Sequence, residues 1–406
     1  MTTPVVVLRA GRERSLARRH PWIFSGGVAA VRGAPDPGAT VEVHSATGDH
    51  LGLGAFSPES QIRVRMWTFA ADTAADTGGS TSTSSTVDAA FVTDRIVRSA
   101  ARRAALLASG TDAARLVFSE ADGVPGLIAD RYGDTVVCQF TTAGADRWRD
   151  VIADALFALD GVRSVYERSD ADVRQREGLE PVVGHLRGDE PPGDIIIHEG
   201  RWRFAIDVTN GHKTGFYLDQ RNTRGEIELL AASARVLNVF SYTGAFSVIA
   251  AGSGAASVLS IDSSGPALAT AQRNAVLNGV DVGELMEADA FTALRGLRDR
   301  ARQYDLIALD PPKLANTEKQ VDKAARAYKD LNLLAIKLLA RGGRLLTFSC
   351  SAAMTTELFQ KVVAGAALDA GRTVRIVGRL AQPGDHPVPL NFPEAEYLKG
   401  LILQAE

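Results

Sequence analysis

Cysteine is almost missing from this chain. Its 406 residues hold only Cys138 and Cys350, too few for a disulfide scaffold or a cysteine-built structural zinc site, and no metal is expected. No apolar run approaches the roughly 20 residues that span a bilayer. The N-terminus lacks the apolar core of a signal peptide, so the cytoplasm is the expected compartment and no membrane is expected as a partner. Lysine is missing from residues 1–69, where every basic residue other than histidine is an arginine. The G-x-G-x-x-G turn that lets backbone approach a pyrophosphate is missing as well, so no such cradle is expected.

What is present centres on Ala234–Ser264. The apolar run Val236–Phe240 suits a strand buried on both faces. The polar turn Ser241–Gly244, small apolar residues from Ala245 to Ala251, and a second strand, Ser257–Ile261, follow, and the second strand delivers Asp262. In such a unit the first loop and helix N-terminus face a ligand, and the acid suits a ribose diol. The grammar repeats. Short apolar segments end in Asp289 and Asp310, a further strand over Arg344–Phe348 ends in Ser349-Cys350-Ser351, and helices separate them. This specifies an α/β fold with a parallel, doubly wound, Rossmann-like sheet. The last two strands, near Thr373–Leu380 and Tyr397–Gln404, have no helix between them and are expected to pair antiparallel at one edge.

A ligand with a ribose and a base but no phosphate fits this turn, which has a single glycine, Gly244, between Tyr242 and Phe246. S-adenosylmethionine is such a ligand. Asp262 is then assigned to its ribose, Asp289 and Ala290 to its adenine, and Phe240, Ser241, Tyr242, Thr243 and Gly244 to its amino-acid end, with Ser263 a further cofactor contact. The plain alternative is that the acids cap strand ends; three in succession favour a site.

The length exceeds what one core usually supports. Residues 1–69 read as short strands around a short helix at Glu13–Arg19, a β-barrel-like domain. Residues 70–88, rich in Ser, Thr, Gly and Ala, read as a flexible linker. Residues 89–195 read as an α+β middle domain and 196–406 as the sheet domain. The total charge is −3, yet residues 1–69 hold eight arginines against five acids, an excess of three positive charges. A small basic domain joined to an acidic one suits an RNA substrate. Trp22 and Phe24 are expected in the small core, as is Cys138 in its apolar strand. Glu167 is expected to form a buried ion pair with Arg168 or another arginine.

Asn238–Phe246 (NVFSYTGAF), Asp310–Lys313 (DPPK), Tyr328–Asn332 (YKDLN) and Thr347–Ser351 (TFSCS) together resemble the bacterial 23S ribosomal RNA large-subunit methyltransferases that make 5-methylcytosine. Gly211–Arg221 (GHKTGFYLDQR) and Tyr166–Asp170 (YERSD) look like further blocks of that family. The resemblance implies a class I S-adenosylmethionine-dependent methyltransferase with an N-terminal PUA domain and ribosomal RNA as partner. Within that frame Cys350 is the expected nucleophile and Asp310 its catalytic partner, also lining the cofactor. Gln220, at a helix start, is assigned to cofactor or RNA phosphate; the plain alternative is a packing helix capped by Asp219. Arg12, Arg18, Arg19 and Lys313 are assigned to RNA, and Lys313 is also a cation able to favour a thiolate. A homodimer is compatible with the sequence.

Two other readings stay open. Asp-Pro-Pro-Lys also resembles the loop of enzymes that methylate a base nitrogen, in guanine or adenine, without a thiol. A non-catalytic RNA-binding or assembly factor with a relic cofactor pocket is the third.

Overall fold

The apolar run that opens the central unit forms a strand as expected, Arg235–Val239, with its last four residues buried. In the computed structural model, which describes residues 3–70, 86–211, 213–315 and 317–406, the chain divides into two compact units. One comprises residues 1–200, 206–216 and 385–395, the other residues 201–205, 217–384 and 396–406. Of the residues expected in one domain over 196–406, those at 196–200, 206–216 and 385–395 thus fall in the first unit.

Two larger sheets lie in the first unit, among the described residues. A six-stranded sheet runs in the order Trp22–Phe24, Ile62–Phe69, His50–Phe56, Thr40–His44, Val5–Leu8, Val28–Arg32. Val6, Leu8, Leu16, Ile23, Val41, Val43, Phe56, Val64 and Met66 form its core. Two of these strands, Trp22–Phe24 and Val28–Arg32, are additional to the four that the sequence suggests, Val5–Leu8, Ala39–His44, His50–Phe56 and Ile62–Met66; both are edges with little buried surface. Phe24 is 52% exposed, so the expectation of a core role fails for this residue, which ends a three-residue edge strand. Trp22 is half-buried, its indole donating to Glu120 Oε1 at 2.7 Å. A five-stranded sheet follows, from Ala113–Phe118 to Val182–Gly188. Its core joins Ala55 and Trp67 of the first sheet to Val92, Ile96, Leu127, Phe140 and Ile152. Cys138 is fully buried there, and burial pushes its thiol pKa up. Glu167 pairs with Arg149 at 2.9 Å, while Arg168 pairs with Asp170 at 3.0 Å. Of the segment expected to be a linker, residues 71–85 lie outside the described residues.

The second unit is a seven-stranded sheet. Its elements are α1 (Arg221–Leu230), β1 (Arg235–Val239), α2 (Ala245–Gly252), β2 (Ser257–Asp262), α3 (Gly265–Asn278), β3 (Glu284–Glu287), α4 (Ala290–Asp299), β4 (Tyr304–Leu309), α5 (Val321–Leu338), β5 (Leu339–Ser349), α6 (Thr356–Asp369), β6 (Val374–Leu380) and β7 (Lys399–Ala405). The sheet order is β3-β2-β1-β4-β5-β7-β6. The first five strands are parallel, and β7 pairs antiparallel with both β5 and β6. Leu237, Ile261, Leu294, Ile307, Leu334, Leu345 and Phe359 belong to one continuous core. The order reverses between β1 and β4, where an open α/β sheet presents its crevice at the carboxyl ends of the strands.

Candidate active site

The β1–α2 turn is held in a strained conformation. Phe240, Tyr242 and Gly244 have φ of 63°, 48° and 75°. For the two aromatic residues this left-handed geometry costs about 1–3 kcal/mol each and persists only where surroundings impose it. Three contacts do so. Ser241 N–H donates to Ile261 O at 3.0 Å, Tyr242 N–H to Asp262 Oδ2 at 2.8 Å, and Asn274 Nδ2 to Thr243 O at 2.9 Å. Gly244 cannot be replaced cheaply, because a Cβ there would lie 2.5 Å from Ala271 Cβ. Inside the turn, the buried hydroxyl of Ser241 has no hydrogen-bond partner among the described residues.

The acids at the strand ends divide by role. Asp262 fastens two loops, accepting from Tyr242 N–H and, at 2.9 Å, from Ser264 N–H; each oxygen keeps acceptor capacity. Ser263 is exposed and Ser264 caps α3. Asp289 is exposed and caps α4 through Thr292 N–H at 2.9 Å, with buried Ala290 as the first helical residue; the strand that the sequence suggests over Glu284–Ala290 ends at Glu287. Glu287 was not singled out by its sequence setting. It pairs in register with Asp262, and a Cβ on Gly265 would meet its Oε2 at 2.7 Å.

Asp310 follows β4, half-buried, and accepts from Gln220 Nε2 at 2.7 Å. Gln220 is buried, and its Oε1 accepts from Thr223 Oγ1 at 2.6 Å. Asp219 is not the helix cap of the plain alternative: its Oδ2 accepts from Tyr397 Oη at 2.7 Å, and α1 starts without a side-chain cap. Tyr217 stacks edge-on against Tyr242, ring centres 5.3 Å apart. Burial, aided by the charges of Asp310, Asp219 and Cys350, keeps its phenol protonated.

Cys350 is half-buried just past β5. Leu309 pairs with Thr347 in the β4–β5 ladder, so Asp310 and Cys350 emerge from the same ends of neighbouring strands. The serines flanking the thiol are tied to one group. Tyr328 of α5, fully buried, has its Oη 3.1 Å from both Ser349 Oγ and Ser351 Oγ. Ala315 N–H also donates to Ser351 Oγ, at 3.1 Å. Lys399, at the start of β7, donates from Nζ to Ser351 O at 2.9 Å. The only signal for Tyr328 was its place in the YKDLN block, and Lys399 had none.

Lys313 is exposed in the loop after Asp310, and Arg12, Arg18 and Arg19 are exposed around the short helix Arg14–Ala17 of the first unit. Among the described residues, one group has donor atoms close enough for a metal ion. It is Glu42, His44 and His50 in the N-terminal sheet, within 4.8 Å of one another.

A donor set of one strained aromatic turn, an unpartnered serine hydroxyl and strand-end carboxylates, with a single glycine, fits S-adenosylmethionine and not a pyrophosphate. Comparisons with known proteins agree. Residues 175–403 match the S-adenosylmethionine-dependent methyltransferase family and residues 6–69 a PUA-like domain. The chain is 48% identical over 401 residues to the ribosomal RNA large subunit methyltransferase I of Shewanella frigidimarina, covering 98% of both. It is 45% identical over 402 residues to the protein of that name from Alteromonas mediterranea, again covering 98% of both. Among solved structures it resembles a putative SAM-dependent methyltransferase from Streptococcus mutans, with TM-score 0.82, 24% identity, and 98% and 99% of the two chains covered. A putative methyltransferase complexed with SAH matches with TM-score 0.83 and 24% identity over the whole of both chains. The chain therefore belongs to the S-adenosylmethionine-dependent methyltransferase family, carries an N-terminal PUA-like domain, and is similar over 98% of its length to relatives named ribosomal RNA large subunit methyltransferase I.

Proposed function

We propose that this protein transfers a methyl group from S-adenosylmethionine to C5 of a cytosine in 23S ribosomal RNA, through a covalent adduct with Cys350. The relatives' name supports ribosomal RNA as the substrate class, and the cytoplasm as the place of work follows from that substrate. The observation that carries the choice of atom is the half-buried thiol past β5, one strand from Asp310, between two serines fixed by a single phenol. A cysteine kept only for packing has no need of such a mount.

C5 of cytosine is a poor nucleophile. The Cys350 thiolate adds to C6, forming an S–C6 bond and moving an electron pair towards C5. Asp310, aimed by Gln220, gives a proton to N3 as charge develops there and is left as the carboxylate that the Gln220 amide holds. The cofactor supplies the electrophilic methyl group that C5 accepts. Loss of the C5 proton to a base and return of the N3 proton to Asp310 restore the C5–C6 double bond, and the S–C6 bond breaks with its electron pair leaving on the thiolate. Reaching the cysteine requires the base to be unstacked, so unpaired or loosened RNA is the preferred form. Arg12, Arg18, Arg19 and Lys313 contact phosphates without choosing sequence.

The test is a map of base methylation in ribosomal RNA from a strain lacking the gene. Loss of one 5-methylcytosine, restored by the gene, is expected. Loss of a methylated purine nitrogen instead would replace this reading with nitrogen alkylation, and an unchanged map would leave a non-catalytic factor.

A further inference from the structure

Lys399 is 6% exposed, a costly setting for an ammonium ion, which loses its hydration on burial. Two contacts fix it around the thiol. In the antiparallel register of β5 and β7, Lys399 pairs with Ser349, the residue before Cys350. Its Nζ donates to the carbonyl of Ser351, the residue after it, at 2.9 Å. The side chain therefore runs beside the short backbone stretch that carries the sulfur. A carbonyl offers acceptor capacity but no counter-charge.

The charged and titratable groups around it leave that counter-charge to be supplied. Glu396, on the segment entering β7, acts on Lys399 but is exposed, and Lys313 from the β4–α5 loop opposes it. Tyr328 from α5 and Tyr217 ahead of α1 both feel Cys350, and burial keeps both phenols neutral. Asp310 ends β4 and is held by Gln220. Burial lowers the Lys399 pKa and a negative sulfur at Cys350 raises it. Such coupling is reciprocal: an anion that favours the ammonium form is itself favoured by it to the same extent.

We propose that Lys399 is the positioning residue that keeps Cys350 ionised, its ammonium supplying the charge and its bond to Ser351 O fixing the backbone on either side of the sulfur. This deepens the reading of Cys350 as nucleophile and rests on it.

The test is alkylation of Cys350 by iodoacetamide across pH, followed by mass spectrometry on the full-length protein. Cys138, fully buried, is the internal control. In the wild type the midpoint is expected below the ~8.5 of a free thiol. Lys399→Met should move it up by about one unit, making alkylation about tenfold slower at pH 7. Lys399→Arg should stay near the wild type, and Lys313→Met should shift it less than Lys399→Met. Matching profiles for Lys399→Met and wild type overturn the proposal. So does a wild-type midpoint at or above ~8.5, a measurement that needs no variant to fold. Alkylation uses neither RNA nor methyl donor. An unchanged profile therefore refutes the role of Lys399 alone, whereas full methyl transfer by Cys350→Ala refutes the proposed function alone.

Discussion

Gln220 Nε2 donates to Asp310 Oδ2 at 2.7 Å across 90 residues of sequence. The amide is itself fixed, since its oxygen accepts from Thr223. Through this bond Gln220 orients the Asp310 carboxylate, in addition to the contact with cofactor or RNA phosphate expected of its place at a helix start. A hydrogen bond to a charged group is worth about 1.5–3 kcal/mol. Gln220→Ala is therefore expected to slow methyl transfer about 10- to 100-fold, with a smaller effect on cofactor affinity. Combined with Asp310→Asn, it should add little, because residues acting as a unit are not additive. Losses that multiply in the double variant would contradict the pairing.

Tyr328 uses one hydroxyl to hold both serines beside Cys350. Tyr328→Phe keeps the ring that packs on Phe359 and leaves two serine hydroxyls short of a buried partner. A stability loss of about 1–3 kcal/mol is expected by urea unfolding. Single-turnover methyl transfer at saturating substrates should fall as well. A variant equally stable and equally fast would show that the phenol does not mount the nucleophile.

At Gly244 two constraints coincide, a φ of 75° and the 2.5 Å approach that any added Cβ would make to Ala271 Cβ. Gly244→Ala should lower the melting temperature and weaken S-adenosylmethionine binding measured by calorimetry. Adding Ala271→Gly removes the collision but not the left-handed backbone, so it should restore part of the stability only. Complete rescue would mean that the turn carries no backbone strain at this position.

Much of the catalytic sheet was legible in sequence because its strands are apolar runs bounded by glycine, proline or acids, the pattern that burial on both faces demands. Cys350 and Asp310 could be paired for the same reason: each is the first chemistry-bearing residue past such a run. The edge strands Trp22–Phe24 and Val28–Arg32 gave no such signal, since they bury few side chains. Lys399 was hidden by topology. Its place depends on the register of β7 against β5, which no local pattern reports. Asp219 looked like a cap from its position before α1, but tertiary contact with Tyr397 claims it. Asp289 shows the reverse, a strand-end acid whose visible role is the local one of capping α4.

The exposed arginines Arg12, Arg18 and Arg19 carry the RNA expectation for the PUA-like domain. If each meets one phosphate of unpaired RNA, replacing all three with Gln should reduce the slope of log K against log salt by about two, at roughly 0.7 per phosphate. Affinity should fall uniformly across RNA sequences. A slope equal to that of the wild type would remove these residues from the interface.

The central claim is that sulfur, not a purine nitrogen pocket, performs the chemistry. It is tested most directly by incubating Cys350→Ala and the wild type with ribosomal RNA carrying 5-fluorocytosine at the target and with S-adenosylmethionine, then denaturing the mixture. Fluorine blocks loss of the C5 substituent, so the wild type is expected to form a denaturant-stable protein–RNA adduct. Cys350→Ala should form none and should also fail to methylate ordinary RNA. An adduct-free wild type together with an active Cys350→Ala would contradict the account.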